Sequence, residues 1–341
     1  MDTKPVNVGV LGYGHFFRTN FIKNMRHCPD LNIVGVYNRG EDRRLQAEQD
    51  GFWATSNLDE LLARKDMPAV MIGTANDAHC EHAIASAKAG KHIFCEKPLA
   101  LTVAEIDRMI AATDKAGVVT HVNHGGCYTD AFEKCQALAA ERCGKIMQVW
   151  IRSSRQFGTW KVGARHFAVG HPETSGGWTM HHFCHALNAA CTMIGQPGVR
   201  AYHVLNKSCP DAPSEELCTA TISFADGSSA QLNDGTTIGG FCDFGVIGTD
   251  GDLRQLGDEV TLVTHGPFDP EGRPGNRTQV VEKFHVAEQG KMINKVGRIF
   301  ADAVRSGDGS RLISFRQVRN EYQILTALCE SARTGQAVEV K

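Results

Sequence analysis

The sequence predicts an α/β protein in two domains, and three observations carry that reading. Short apolar runs alternate with helical patterns through the first 122 residues, the signature of a parallel, doubly wound sheet. The first run ends in the glycine turn Gly12-Tyr13-Gly14, and from Met147 the pattern changes to longer alternating segments. A chain of 341 residues can bury a core in each part. The division is expected at residues 1–122 and 123–341.

Residues 6–11 read as a buried strand, followed by the glycine turn and an amphipathic helix over residues 15–25. Strand, glycine turn and helix are the context of a dinucleotide fingerprint. Gly12 permits the tight turn, and Gly14 lets backbone N–H groups approach a pyrophosphate at the helix N-terminus. Gly9, Tyr13, His15 and Phe16 are counted with them as candidate cofactor contacts. The third glycine is missing: Phe17 stands where close helix–strand packing asks for a small residue. A second strand, residues 32–37, ends at Asn38-Arg39 with no acid to accept from a ribose 2′-hydroxyl. Arg39, Arg43 and Arg44 could instead hold a 2′-phosphate, which tilts the cofactor from NAD(H) towards NADP(H). The same arginines also suit the solvated start of a helix.

A short capped helix is expected over residues 56–63, then a third strand over 69–73 ending in Thr74-Ala75-Asn76-Asp77-Ala78-His79. Its helix, residues 78–89, leads through Gly90 to His92-Ile93-Phe94-Cys95-Glu96-Lys97-Pro98. Proline holds the residue before it out of the α region, so Lys97 closes the strand in an extended conformation. That is the carboxyl end of a strand, where open α/β sheets bind their ligands. Thr102 and Glu105 form a capping box for the next helix, which runs to about residue 116 before a strand over 118–122.

A formal net charge of −2 argues against nucleic acid or an anionic membrane surface as partner. No apolar run approaches the roughly 18 residues of a membrane span. Twelve cysteines are scattered without a CxxC pair. With no signal peptide evident, they read as reduced thiols in a cytoplasmic protein.

Taken in order, Gly9-x-x-Gly12-x-Gly14, Thr74-x-x-x-x-His79, Glu96-Lys97-Pro98 and Asn123 resemble the glucose–fructose oxidoreductase, inositol dehydrogenase and MocA family of dinucleotide-dependent oxidoreductases. Gly248-Thr249-Asp250-Gly251 and residues 300–307 extend the resemblance into the C-terminal half. It implies a Rossmann domain followed by an α/β domain with an open, mainly antiparallel sheet. That sheet often serves as a subunit interface, so a homodimer or homotetramer is implied. It also implies that Lys97 hydrogen-bonds the hydroxyl or carbonyl being interconverted, while Glu96 orients the lysine or the cofactor. Thr74, Asn76, His79 and Asn123 join the cofactor set.

In the second domain, a strand is expected over 147–152, a hairpin over 218–225 and 228–232 about Asp226-Gly227, and a strand over 244–249. Residues 265–277 read as a loop, and residues 291–305 and 317–334 as helices. The chemical stretch runs from Ser175-Gly176-Gly177-Trp178 through His181-His182 to His185. A spacing of four puts His181 and His185 on one face of an α-helix. By the family resemblance His185 takes the catalytic histidine position, and His181 replaces the usual Asp. An imidazole can exchange a proton near neutral pH. A His-x-x-x-His metal chelate is the competing reading, although no carboxylate adjoins it in sequence. His124, Tyr128, Arg155, Trp160, Lys161, Trp178 and His182 are candidate substrate contacts: Trp faces stack on sugar C–H surfaces, and Arg or Lys binds hydroxyls or an anionic substituent.

The leading expectation is NAD(P)-dependent hydride transfer to or from a sugar, inositol or related polyol. A redox-neutral, glycoside-cleaving enzyme of the same fold and a non-catalytic dinucleotide sensor are the alternatives.

Overall fold

The apolar runs of the N-terminal half become six short strands: β1 (Val6–Leu11), β2 (Leu31–Tyr37), β3 (Ala54–Thr55), β4 (Ala69–Ile72), β5 (His92–Cys95) and β6 (Thr120–Val122). In this computed structural model, which describes residues 4–25, 27–237, 239–257, 259–273, 275–283 and 289–341, they pair in parallel in the order β3-β2-β1-β4-β5-β6. The chain divides into two compact units, residues 1–125 with 288–319 and residues 126–287 with 320–341.

In the first unit the strand order reverses between β1 and β4, the switch point at which open α/β sheets take their ligands. All four residues of β4 are buried, as expected of a strand covered on both faces. The helices follow their end signals. Thr102 and Glu105 form the capping box of helix Val103–Ala116, which Gly117 closes with φ 65°. Asn57 caps helix Leu58–Leu62.

The first helix departs from expectation. Residues Phe17–Ile22 are π-wound and only Lys23–Met25 continue as α-helix. The missing third glycine has its counterpart in Gly73, at the end of β4: a Cβ there would lie 2.4 Å from Phe17 Cγ. Close packing is therefore kept by a large ring on the helix and a bare backbone opposite. Phe17 stacks on Phe21 at 5.0 Å, and Phe21 meets Phe94 of β5 at 5.1 Å. Phe300, on helix Gln289–Ser306, closes on Phe94 edge-on at 5.5 Å.

The second unit is built on β7 (Ile146–Arg155), β8 (Gly198–Asn206), β9 (Leu217–Phe224), β10 (Ser229–Thr236), β11 (Phe241–Gly248), β12 (Gly251–Leu256), β13 (Glu259–His265), β14 (Arg277–Lys283) and β15 (Val338–Glu339). They form one sheet in the order β14-β13-β12-β11-β7-β10-β9-β8-β15. Every neighbouring pair is antiparallel except β7 with β10. The hairpin about Asp226-Gly227 is present as β9–β10, with Gly227 at φ 86°. Val149 and Ile151 of β7 and Ala230 and Leu232 of β10 point to the buried face, on which helix Cys184–Ile194 packs. Strands β8, β12, β13, β14 and β15 and helix Asp130–Arg142 add to the elements read from sequence. The loop expected over 265–277 lies between β13 and β14; its position 274 is outside the described residues. Among the described residues no helix is long and apolar enough to cross a membrane.

Candidate active site

Gly12 follows β1 with φ 92°, and a Cβ on it would meet Thr74 N at 2.7 Å. Only glycine fits that turn. A Cβ on Gly14 would meet nothing within 4 Å, so the backbone before the first helix faces open space. Those two observations fit a dinucleotide pyrophosphate at a helix N-terminus. Gly9 has another explanation: the space beside it is filled by Met67, whose Sδ a Cβ would meet at 2.4 Å.

Tyr13 is almost fully buried and pins the loop from below. Its N–H donates to Asn38 Oδ1 at 3.0 Å and its hydroxyl to Asp50 Oδ2 at 2.7 Å. Asp50 also takes a bidentate pair from Arg18, at 2.6 and 3.1 Å. Burial and the Asp50 carboxylate raise the Tyr13 hydroxyl above the usual tyrosine range. Tyr13 can thus offer a cofactor little beyond loop geometry. His15 and Phe16 are exposed, Phe16 by 62%. At the end of β2, Arg44 donates to the carbonyls of Asn38 and Arg39, so it braces the turn, while Arg39 is exposed.

Lys97 is 8% exposed at the carboxyl end of β5, and its peptide bond to Pro98 is cis. Glu96 beside it accepts from Asn123 Nδ2 at 2.7 Å and from the Lys97 N–H at 3.2 Å. Burial raises the Glu96 carboxyl, and Lys97 and Asn123 oppose that rise. His124 is pushed down to about 3 by burial, with repulsion from Lys97 added. His121 is likewise held down to about 3, by burial and then by His124. Both imidazoles are neutral at physiological pH, so the His124 ring near Lys97 is uncharged. His79 is wholly buried, with Nδ1 2.9 Å from the Pro98 carbonyl and Nε2 3.1 Å from that of Thr74. That geometry makes it a tie between the β4 and β5 loops rather than an open cofactor contact. Thr74 Oγ1 lies 3.1 Å from His82 Nδ1, and Asn76 is half-buried on the same loop.

In the second unit, residues Thr179–Phe183 are π-wound before helix Cys184–Ile194 begins. The α-helical rule placing His181 and His185 on one face therefore does not carry over unchanged. The rings gather around His182, which lies 5.0 Å from His181, 6.3 Å from His185 and 4.9 Å from His166. His166 Nδ1 accepts from Ala168 N–H at 3.2 Å, so its proton sits on Nε2 and points at His182 Nε2, 3.3 Å away. His182 must accept there, which leaves its hydrogen on Nδ1. Among the described residues no three His, Cys, Asp or Glu side chains converge as metal ligands.

Trp178 is fully buried, so the sugar-stacking role expected of it is not open to it. It supports His182 instead, stacking on that ring at 4.3 Å, while its indole N–H donates to Asp234 Oδ1 at 2.7 Å. Asp234 Oδ2 takes the Ser153 hydroxyl, and Arg155 Nε stands 3.9 Å from that oxygen. Trp160 is half-buried with Arg165 over its ring at 4.0 Å, Lys161 is exposed, and Tyr128 is buried.

Sequence reasoning missed three buried acids and one histidine. Glu215 Oε1 accepts from the N–H and hydroxyl of Thr179 at 2.8 and 2.7 Å, fixing the start of the π-wound turn. Glu216 accepts from the N–H groups of Trp160 and Ser208, at 2.5 and 2.8 Å. Asp234 did leave a signal: it falls in phase with the inward-facing Ala230 and Leu232. His166 left none, being brought to His182 only by folding.

The profile of the oxidoreductase family with an NAD-binding Rossmann fold matches residues 6–124, and that of the GFO/IDH/MocA C-terminal domain matches residues 135–254. A myo-inositol 2-dehydrogenase from Thermotoga maritima is 34% identical over 131 residues, 38% of this chain and 39% of that protein. A 2,7-anhydro-N-acetylneuraminate hydratase from Escherichia coli is 27% identical over 241 residues, 68% of this chain and 62% of that protein. Both matches cover less than two thirds of those relatives' own lengths. Among solved structures, levoglucosan dehydrogenase in complex with NADH and levoglucosan superposes with a TM-score of 0.82 at 22% identity, covering 98% of this chain and 99% of that one; at such identity the likeness speaks for the fold. Two profiles in series, one on each half of a chain that folds as a Rossmann sheet followed by a mainly antiparallel one, establish that this protein belongs to the GFO/IDH/MocA family of oxidoreductases.

Proposed function

We propose that the chain transfers a hydride between a nicotinamide cofactor and a hydroxyl or carbonyl carbon of a sugar, inositol or related polyol. The observation that carries this is Lys97, buried just past the carboxyl end of β5 beside Glu96, which Asn123 holds, and beside the His124 ring held neutral. When bound, the nicotinamide supplies or takes up the hydride. In this reading Lys97 donates to the substrate oxygen, and Glu96 fixes the backbone from which Lys97 springs. His185 removes or returns the hydroxyl proton, with His181 and His182 beside it. Gly12, Gly14, His15, Phe16, Thr74 and Asn76 line the cofactor, and His124, Tyr128, Arg155, Trp160 and Lys161 contact the substrate. Exposed Arg39 and the lack of an acid at the end of β2 favour NADP(H) over NAD(H).

The outer face of the nine-stranded sheet supports assembly as a homodimer or homotetramer. Tyr202 and Val204 of β8, Leu256 of β12 and Val281 of β14 expose 42, 40, 54 and 48% of their surface there, apolar side chains that a second subunit would cover. A cytoplasmic location accords with twelve cysteines that are all free.

The test is cofactor absorbance across sugars, inositols and polyols with NAD and NADP, for wild type and Lys97→Ala. Loss of about a hundredfold or more in kcat in the variant is expected of a group acting on the reacting oxygen. Equal rates would remove Lys97 from the chemistry. A second reading is net redox-neutral chemistry on an anhydro sugar, favoured by the hydratase relative, which matches 68% of this chain. Product formed without net change in cofactor absorbance would select it.

A further inference from the structure

We propose that the substrate carries an anionic substituent, a carboxylate or a phosphate, and that the Arg155 guanidinium binds it. This rests on the second unit being the substrate-binding one. Arg155 is in phase with Val149 and Ile151 on β7, so it points to the helix-covered face of the sheet, and 35% of its side chain remains accessible. Its Nε is buried without a hydrogen bond, and among the described residues the guanidinium donates none.

Structural arginines in this protein look different. Arg18 grips Asp50 at 2.6 and 3.1 Å, and Arg254 grips Asp243 at 3.0 Å through both nitrogens. Arg155 stands 3.9 Å from Asp234 instead, and both Asp234 oxygens already accept, from Trp178 and Ser153. The buried Nε has lost water without gaining a hydrogen-bond partner while the rest of the guanidinium stays accessible, and the complementary partner for its planar fork is an oxyanion.

The surroundings do not oppose an anion. Glu215 and Glu216, the other buried acids here, are taken up by backbone and hydroxyl donors: Glu215 by Thr179 and Ser214, Glu216 by the N–H groups of Trp160 and Ser208. Residues 151–185 contain Arg152, Arg155, Lys161 and Arg165 against Glu173 alone, in a chain whose net charge is −2.

The test is calorimetric titration of the full-length protein, loaded with NADP(H) or NAD(H), with D-glucose, hexuronates, aldonates and hexose 6-phosphates. At least one acidic class is expected to bind about tenfold or more tightly than D-glucose, with the preference shrinking as salt is raised. Uronate or aldonate preference identifies a carboxylate, and hexose phosphate preference a phosphate. Arg155→Gln should abolish the preference for the acidic class over D-glucose, and Arg155→Lys should retain part of it. Equal affinity for acid and neutral sugars, no binding across the whole panel, or a preference that survives Arg155→Gln overturns the proposal. Arg155-dependent acid binding without any cofactor turnover would leave this inference standing and count only against the dehydrogenase reading.

Discussion

Glu321 offers the sharpest test of the second unit's packing. It is 6% exposed on helix Phe315–Thr334. Its Oε1 accepts from Asn188 Nδ2 at 2.8 Å, and Asn188 Oδ1 accepts in turn from the Cys127 thiol at 3.1 Å. Burial pushes the carboxyl up from 4.5 to about 8, opposed only by the Asn188 hydrogen bond. The folded protein thus keeps a proton that the unfolded chain releases above about pH 4.5. Stability must fall as pH rises from there to about 8, and level off beyond. One proton corresponds to about 1.4 kcal/mol per pH unit, so the whole span is worth at most about 5 kcal/mol. Glu321→Gln keeps the acceptor for Asn188 and removes the titration. Urea unfolding of both proteins between about pH 5 and 9 isolates the effect, because all other titrating groups cancel in the difference. The variant should gain on wild type steadily up to about pH 8. Parallel curves would mean that Glu321 ionises freely in the folded protein and that water reaches it.

His121 and His124, both held down to about 3, act in the opposite sense: their contribution is complete above about pH 6.5 and is lost as pH falls towards the folded value. Thermal midpoints should drop on acidification below that point, less steeply in His121→Gln; an unchanged slope would contradict the burial argument. Gly73→Ala puts a methyl 2.4 Å from Phe17 Cγ and should cost about 1–3 kcal/mol, much of it recovered on adding Phe17→Ala in a double-mutant cycle. Strict additivity would show that the ring does not depend on that space. Asp50→Asn loosens both Tyr13 and Arg18 and should raise the dinucleotide Kd about three- to tenfold by fluorescence titration, with kcat largely kept. A fall in kcat at unchanged Kd would place Asp50 outside the support of the glycine loop.

The first unit was legible wherever a local rule suffices. Continuous apolar runs mark strands covered on both faces, Thr102 and Glu105 announce their helix, and the Lys97-Pro98 pair marks the edge where ligands gather, although β5 itself stops at Cys95, two residues before the lysine expected to close it. What could not be read there is complementarity between distant positions. Phe17 looks like a defect in the glycine pattern until Gly73, fifty-six residues on, supplies the space that the third glycine normally gives. His79 reads as a cofactor contact from its motif alone, and only the fold shows both its nitrogens turned to carbonyls.

In the second unit the difficulty was different, because its polar residues are buried in phase with apolar ones. Alternation identified β9 and β10, but the expected strand stopped at Leu232, and Asp234 is the next inward position. An acid in that phase can be stable only if donors meet it, so its presence predicts partners such as the Trp178 indole and the Ser153 hydroxyl. The same phase argument on β7 turns Arg155 inward, beside an acid whose oxygens are already engaged. Neighbouring parallel strands therefore place an anion that is satisfied next to a cation that is not. Such an asymmetry is weak as a device for stability, since a buried ion pair needs close geometry to offset desolvation. It is well suited to holding a guanidinium in place for a second anion, which is the role the substrate titrations address.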